Sequence, residues 1–335
     1  MKPNFEEELN KYILSKAIIP NSLGLWETYF KKMCLAWGEI VPNITPQHLI
    51  FAADNGVSID GLVGYDYEIT RKQSQNMIYG KSAVVNYCIF NHIPYEVVDV
   101  GIACEHPVGV DCKVAEGTKN FTKEPAMTIE QYHKAYQAGY DRVVHYVNLG
   151  INLFSFGEMG VGNTTTSAAV LLGLTKLDPR ITVGAGSGPD VESALQFKRD
   201  IVRKGLTLHA GHLETVEDVI AHVGGFDIAA ITGAMVACSD LHIPFVIDGY
   251  ITAVAMACAT RLNANTPLYG IPSHYSREVG MQSALAYSNI RLDEVPIHGG
   301  MALGEGTGAV LMVQLLKTAH FAFINIGSMD DLLKL

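Results

Sequence analysis

Glu158 sits inside GEMGVGNTT (157–165), where three glycines and the Asn163–Thr164 pair separate an apolar stretch from a helical one. Glycines let backbone N–H groups point inward, and a helix N-terminus adds partial positive charge, so the run suits a phosphate. It is not a Walker loop, since no GKS or GKT follows, and it lacks the GxGxxG register of a dinucleotide fold. A tight turn that needs glycine for shape alone explains the same residues. Glu158 weighs against that reading, because a carboxylate beside a phosphate turn is unfavourable unless it serves a sugar hydroxyl or a cationic ring.

A second loop, VGAGSGPD (183–190), contains G-x-G-x-G, and Lys198 follows on the next helical stretch. That lysine either neutralises an anion held by the loop or is a solvated surface side chain. In HGGMALGEGTGAVLMV (298–313), Glu305 lies between Gly304 and Gly306 and precedes an apolar run. A carboxylate at the mouth of an apolar pocket has its charged form disfavoured, which raises its pKa towards that of a general base. A helix cap or an ion-pair partner would account for the same glutamate. SHYSREVG (273–280) brings Ser273, His274 and Glu278 into one polar stretch, but residues so close in sequence seldom meet in triad geometry. Cys104, His106 and Cys112 raise a metal site, yet a fourth ligand is missing and the spacing matches no zinc pattern, so no metal is expected.

These loops need strands to carry them. HLIFAADNGV (48–57), YEVVDVGI (95–102), INLFSFGEMG (151–160) and IPFVIDGYI (243–251) read as strands. Helical spacing appears at 6–14, 27–37, 68–90, 129–149, 163–174, 191–208 and 227–241. Strands alternating with helices, without hairpin signals, predict a parallel α/β sheet of Rossmann-like type flanked by helices. Ligands bind such sheets beyond the carboxyl ends of the strands, where Asp54, Glu158, Asp248 and the glycine loops all fall. Residues 1–40 and about 305–335 are expected to form a small helical domain beside a larger α/β domain of 41–304.

Composition bounds the function. The chain has 335 residues, 48% hydrophobic and 17% charged, enough to bury a large core. Its net charge of −10, without basic clusters, argues against nucleic acid but not against a small anion. No apolar run is expected to reach the roughly 18 residues of a membrane helix, the longest candidates lying around Ala253–Ala259, and the polar start MKPNFEEELNKY has no signal-peptide core. Six cysteines without CxxC spacing read as reduced thiols. A cytoplasmic protein with no membrane partner is expected.

Together the loops resemble the nicotinate-nucleotide–dimethylbenzimidazole phosphoribosyltransferase family. SLGLWE (22–27), AADNGV (52–57), EITRKQ (68–73), GEMGVGNTT, GGFDIAAITGA (224–234), DGYITAVA (248–255), SHYSRE and LGEGTGA (303–309) follow in the family's order. The resemblance implies a parallel α/β fold with a small helical domain, a dimer, and no cofactor. It implies phosphoribose transfer from nicotinate mononucleotide to an aromatic acceptor, giving an α-riboside phosphate for cobamide synthesis. By the same resemblance Glu305 is the catalytic base. Glu158, Met159, Gly160, Gly162 and Asn163, with Gly186 and Lys198, match the stretches that hold phosphate and ribose.

Departures cluster on the acceptor side. Gly64-Tyr65-Asp66-Tyr67 replaces the family's Ser-Tyr/Phe-Pro, and Lys72 aligns where a glutamine is usual. Asn55 stands for a histidine, and Ala302 for an arginine. Gly64, Tyr65 and Lys72 are therefore expected to line a remodelled acceptor pocket, with a phenol such as p-cresol, or another base, as alternative to dimethylbenzimidazole. Family members that use phenols work as paired related subunits, so either a homodimer or a heterodimer with a homologous chain is expected. The rival reading is a half-active or non-catalytic subunit of such a pair.

Overall fold

The computed structural model describes residues 4–60, 68–186 and 190–335. Its strands are β1 Pro46–Ala53, β2 Tyr95–Gly101, β3 Val110–Asp111, β4 Leu153–Met159, β5 Phe245–Ile247 and β6 Gly270–Pro272. All pair in parallel, in the order β3-β2-β1-β4-β5-β6. This is the parallel, Rossmann-like sheet expected from the sequence. Every residue of β1 is buried, because helices cover both faces, and for that reason its stretch Leu49–Ala53 reads as a continuous apolar run rather than an alternating one.

The chain runs from β1 outward to β3, then returns to β4 and runs outward the other way. The order reverses between β1 and β4, so a crevice opens beyond their carboxyl ends. Register pairs Phe51 with Glu158 and Ala52 with Met159, which brings the loop after β1 level with the glycine loop after β4.

Two strands escaped the sequence reading, β3 and β6, with two and three residues each, too short to show a period. The stretch 68–90 is two helices, Glu68–Ile78 and Ala83–Phe90. They break at Gly80, whose φ of +74° favours glycine. The membrane expectation also needs correcting. Thr307–Asn325 has 19 residues and a mean hydropathy of 1.4 in its best window, long and apolar enough to cross a membrane by length and composition. Gln314, Lys317 and His320 interrupt the run in sequence but not the helix. Half of that window is buried, against β4, β5 and the helices Leu25–Trp37 and Ala83–Phe90.

The same helix meets the N-terminal segment. Phe5, Leu9, Phe30, Cys34 and Phe323 form their own apolar cluster, with Phe30 and Phe323 stacked at 4.5 Å. Buried Lys16 donates to the carbonyl of Ile326 at 2.9 Å, satisfying an orphan acceptor at the helix's end.

Candidate active site

A cavity of about 380 Å³ opens where the strand order reverses, within the size range of small-ligand sites. One wall is the turn from β4 into the helix Asn163–Thr175. Gly160 lies so close to β1 that a Cβ there would come within 2.3 Å of the Ala53 carbonyl oxygen. Gly162, at φ +91°, swings the chain into the helix, and the Val161 N–H donates to Thr70 at 3.1 Å. The helix therefore presents its positive end to the cavity.

Behind this turn lies a compact polar network. Glu158 accepts from the Asn163 side-chain amide and, at 3.2 Å, from the Glu305 backbone N–H. The same Asn163 amide reaches Asp227 at 3.3 Å. Burial pushes the Glu158 carboxyl up to about 8 and that of Asp227 up to about 6; the Asn163 amide opposes both shifts.

Lys198 closes the far end. It is buried, donating to Thr164 Oγ1 at 3.0 Å and to the Gly184 carbonyl at 2.8 Å. No carboxylate lies within ion-pair distance of it among the described residues, and burial pulls its pKa down to about 8, with Glu278 opposing. A buried ammonium held by neutral acceptors is poised to gain from an anion. Gly186 adjoins it, its N–H donating to Glu278 Oε1 at 2.8 Å. In this state Glu278 occupies a backbone donor that the sequence reading reserves for substrate.

On the opposite wall the backbone turns through three consecutive left-handed residues: Gly304 (+80°), Glu305 (+62°) and Gly306 (+93°). For a residue with a side chain this costs about 1–2 kcal/mol. Buried side chains hold it in place. Glu158 takes the Glu305 N–H, His48 Nε2 meets the Glu305 carbonyl at 3.3 Å, and Asp248 takes the N–H groups of Gly306 at 3.2 Å and Ala309 at 2.9 Å. Asp248 thereby also caps the helix that follows. Glu305 Oε1 accepts from the Gln73 amide at 2.6 Å, while Oε2 is buried without a partner among the described residues. Burial raises its pKa, the Gln73 amide and the Val84 backbone only partly offsetting it.

The cavity walls thus bring together Glu158, Met159, Gly160, Gly162, Asn163, Gly186 and Glu305, with Lys198 behind Thr164. Lys72 does not join them. It is half-exposed and ion-paired with Glu68, one turn back on its helix. Residues four apart share a helix face, so 68 pairs with 72, while Ile69 and Gln73 turn inward together. The amide expected to be lost is present one residue later. Gly64 and Tyr65, also expected at the acceptor pocket, lie outside the described residues. Ala302 lines the cavity, and Asn55 is buried beneath the turn, accepting from Thr166 at 3.3 Å.

Ser273, His274 and Glu278 assemble no triad. The Ser273 hydroxyl gives its hydrogen to the Asp248 carbonyl, His274 turns Nδ1 towards both Ser273 and Asp248, and Glu278 reaches away to Gly186. Cys104, His106 and Cys112 form no ligand cluster among the described residues. His48 and Asp227 had no distinguishing sequence signal, one lying inside a strand and the other at a helix start. Gln73 had one, its i, i+4 relation to Ile69.

A family model described as Phosphoribosyltransferase, DBI_PRT, matches residues 1–331. The chain is 36% identical over 326 residues to the nicotinate-nucleotide–dimethylbenzimidazole phosphoribosyltransferase of Cupriavidus necator, covering 95% of this chain and 91% of that protein. It is 34% identical over 328 residues to the enzyme of the same name from Acetivibrio thermocellus, covering 95% and 90%. The crystal structure of CobT from Thermus thermophilus superposes with a TM-score of 0.91 at 29% identity, covering 98% of each chain.

Proposed function

The chain belongs to the DBI_PRT phosphoribosyltransferase family, and on that basis we propose that it transfers phosphoribose from nicotinate mononucleotide to an aromatic nitrogen base for cobamide lower-ligand synthesis. The observation that carries this reading is the pairing on one cavity of an anion-suited turn with a largely buried carboxylate, Glu305, anchored through one oxygen by Gln73. Glu158, Met159, Gly160, Gly162, Asn163, Gly186 and Lys198 hold the ribotide.

The chemistry follows from charge. Nicotinate is joined to C1′ as a cationic pyridinium, so the C1′–N bond breaks with its electron pair returning to the ring, and departure needs little help. The acceptor nitrogen attacks C1′ from the opposite face, inverting a β-riboside to an α-riboside. As that ring becomes cationic, its other N–H proton passes to the Glu305 carboxylate. A carboxylate whose pKa is raised by burial is a better base for this step, and the interaction strengthens only as positive charge develops.

Dimethylbenzimidazole is the acceptor proposed here, because Gln73 restores the amide whose apparent loss pointed towards a phenol. Incubation of the purified chain with nicotinate mononucleotide and a panel of dimethylbenzimidazole, adenine, phenol and p-cresol, read by mass spectrometry, tests it. Preferential formation of the benzimidazole riboside phosphate with release of nicotinate is expected. Preference for p-cresol would reinstate the phenolic reading, and no product with any acceptor would sink the transferase reading for this chain alone. The base and the ribotide-holding residues come from one chain, which argues against a non-catalytic subunit. A dimer, a helical unit built from 1–40 and about 305–335, and a cytoplasmic location complete the proposal.

A further inference from the structure

Glu305 has to sit in the left-handed region, and the two peptide groups that flank it must be held for it to stay there. Two of the holders, Glu158 and Asp248, accept hydrogen bonds. The Glu305 carbonyl needs a donor, and the side chain beside it is that of His48, buried in the middle of the sheet. A carbonyl only accepts, so His48 Nε2 must carry the hydrogen, which leaves a lone pair on Nδ1. Ser155 on the neighbouring strand β4 lies 2.8 Å from Nδ1 and donates to it. The ring is wedged in place. A Cβ on Gly306 would come within 2.2 Å of His48 Cε1, and one on Gly157 within 2.1 Å of the Glu305 oxygen. Burial pulls the His48 pKa down to about 4, so the ring is neutral at ordinary pH, and the carbonyl at Nε2 selects its tautomer.

We propose that the Ser155–His48 pair is a backbone clamp, with His48 a positioning residue that holds Glu305 in the left-handed conformation needed to aim its carboxylate. The role rests on the reading of Glu305 as the base. His48 is fully buried and, unlike Gln73 and Glu305, does not line the cavity, so it takes no proton in the reaction.

Three substitutions separate clamping from filling space. His48→Leu keeps bulk without a donor. His48→Asn places an amide where Nδ1 was, short of the carbonyl, and His48→Gln extends an amide N–H to the position of Nε2. Loss of aim by about an ångström costs on the order of a hundredfold. His48→Leu and His48→Asn should therefore lower kcat roughly 10- to 100-fold, with nicotinate mononucleotide affinity by calorimetry within about twofold. His48→Gln should recover kcat to within about fivefold. Ser155→Ala, a smaller change that tests the clamp where a His48 variant fails to fold, should lower kcat in the same sense.

A crystal structure of His48→Leu should show Glu305 out of the left-handed region, a readout that needs no activity. Unchanged kcat in His48→Leu would overturn the clamp. So would equal losses in all three variants accompanied by parallel loss of donor affinity, which marks a packing role. Absence of product from the unmodified chain would instead remove the transferase reading, leaving the backbone readout to decide the clamp.

Discussion

The two walls of the cavity are held by different physics. On the ribotide wall, Glu158, Asn163, Asp227 and Lys198 are all buried, and each has a named partner from another element or loop. On the acceptor wall, among the described residues, Ile69, Ala302 and Leu303 lie beside the side-chain contact of Gln73 with Glu305, and Leu303 is 60% exposed. A pocket for a charged, hydroxylated ligand has to be built in advance from satisfied polar groups, because each unmet one is costly. A pocket for a flat apolar ring needs shape and one or two polar atoms. Among the described residues, the wall proposed for the ribotide is therefore held by several partnered polar groups, whereas the wall proposed for the acceptor is mostly apolar.

Glu305→Gln tests the junction of the two walls and carries the largest expected effect. It should lower kcat by about 10²–10⁴ while donor affinity by calorimetry changes little. Retained turnover would mean that the base lies elsewhere. Lys198→Ala comes next and strikes the ribotide wall alone. Loss of a charge-assisted contact, about 1.5–3 kcal/mol, should weaken donor binding roughly 10- to 150-fold with kcat at saturation nearly unchanged. An effect confined to acceptor KM would contradict its placement.

Neighbouring residues give the sharpest comparison on the acceptor wall. Gln73→Leu should lower kcat/KM for the acceptor about tenfold by freeing Glu305 Oε1. Lys72→Gln, which breaks only an exposed helix pair, should stay within about twofold. Equal effects would show that Lys72 also reaches the pocket.

The smallest effect concerns stability. The folded pKa of Glu158, about 8, lies above its ordinary value of 4.5, so its contribution to stability is full below pH 4.5 and is lost progressively as pH rises to about 8. Asp227 acts in the same sense between pH 3.8 and about 6. The melting temperature of the ligand-free protein should fall between about pH 4.5 and 8, and Glu158→Gln should flatten that slope. A variant that melts with the wild-type pH dependence would show that Glu158 is not buried with a raised pKa.

Legibility in the sequence followed length and locality. Long, two-sided buried strands such as β1 and β4 announce themselves by apolar runs, and Glu305 by its glycine neighbours. β3 and β6 have too few residues to show a pattern and form because a longer or better-placed strand lies beside them. The pocket face of the helix Glu68–Ile78 went astray by one residue. An alignment of letters placed Lys72 inward, whereas a helix turns about 100° per residue and only one of two neighbours can face the cavity.

What the sequence determined by itself was local: which runs bury, where glycine must sit, which carboxylate stands at the mouth of an apolar run, and the family those motifs resemble. Tertiary structure alone decided who meets whom. Glu305 is aimed by Gln73, 232 residues away, and by His48, 257 away. Glu158 and Asp227 titrate unusually because a packed sheet keeps water from them. Hydrogen bonds and desolvation act over a few ångströms of space, and distance along the chain says nothing about either until the chain is folded.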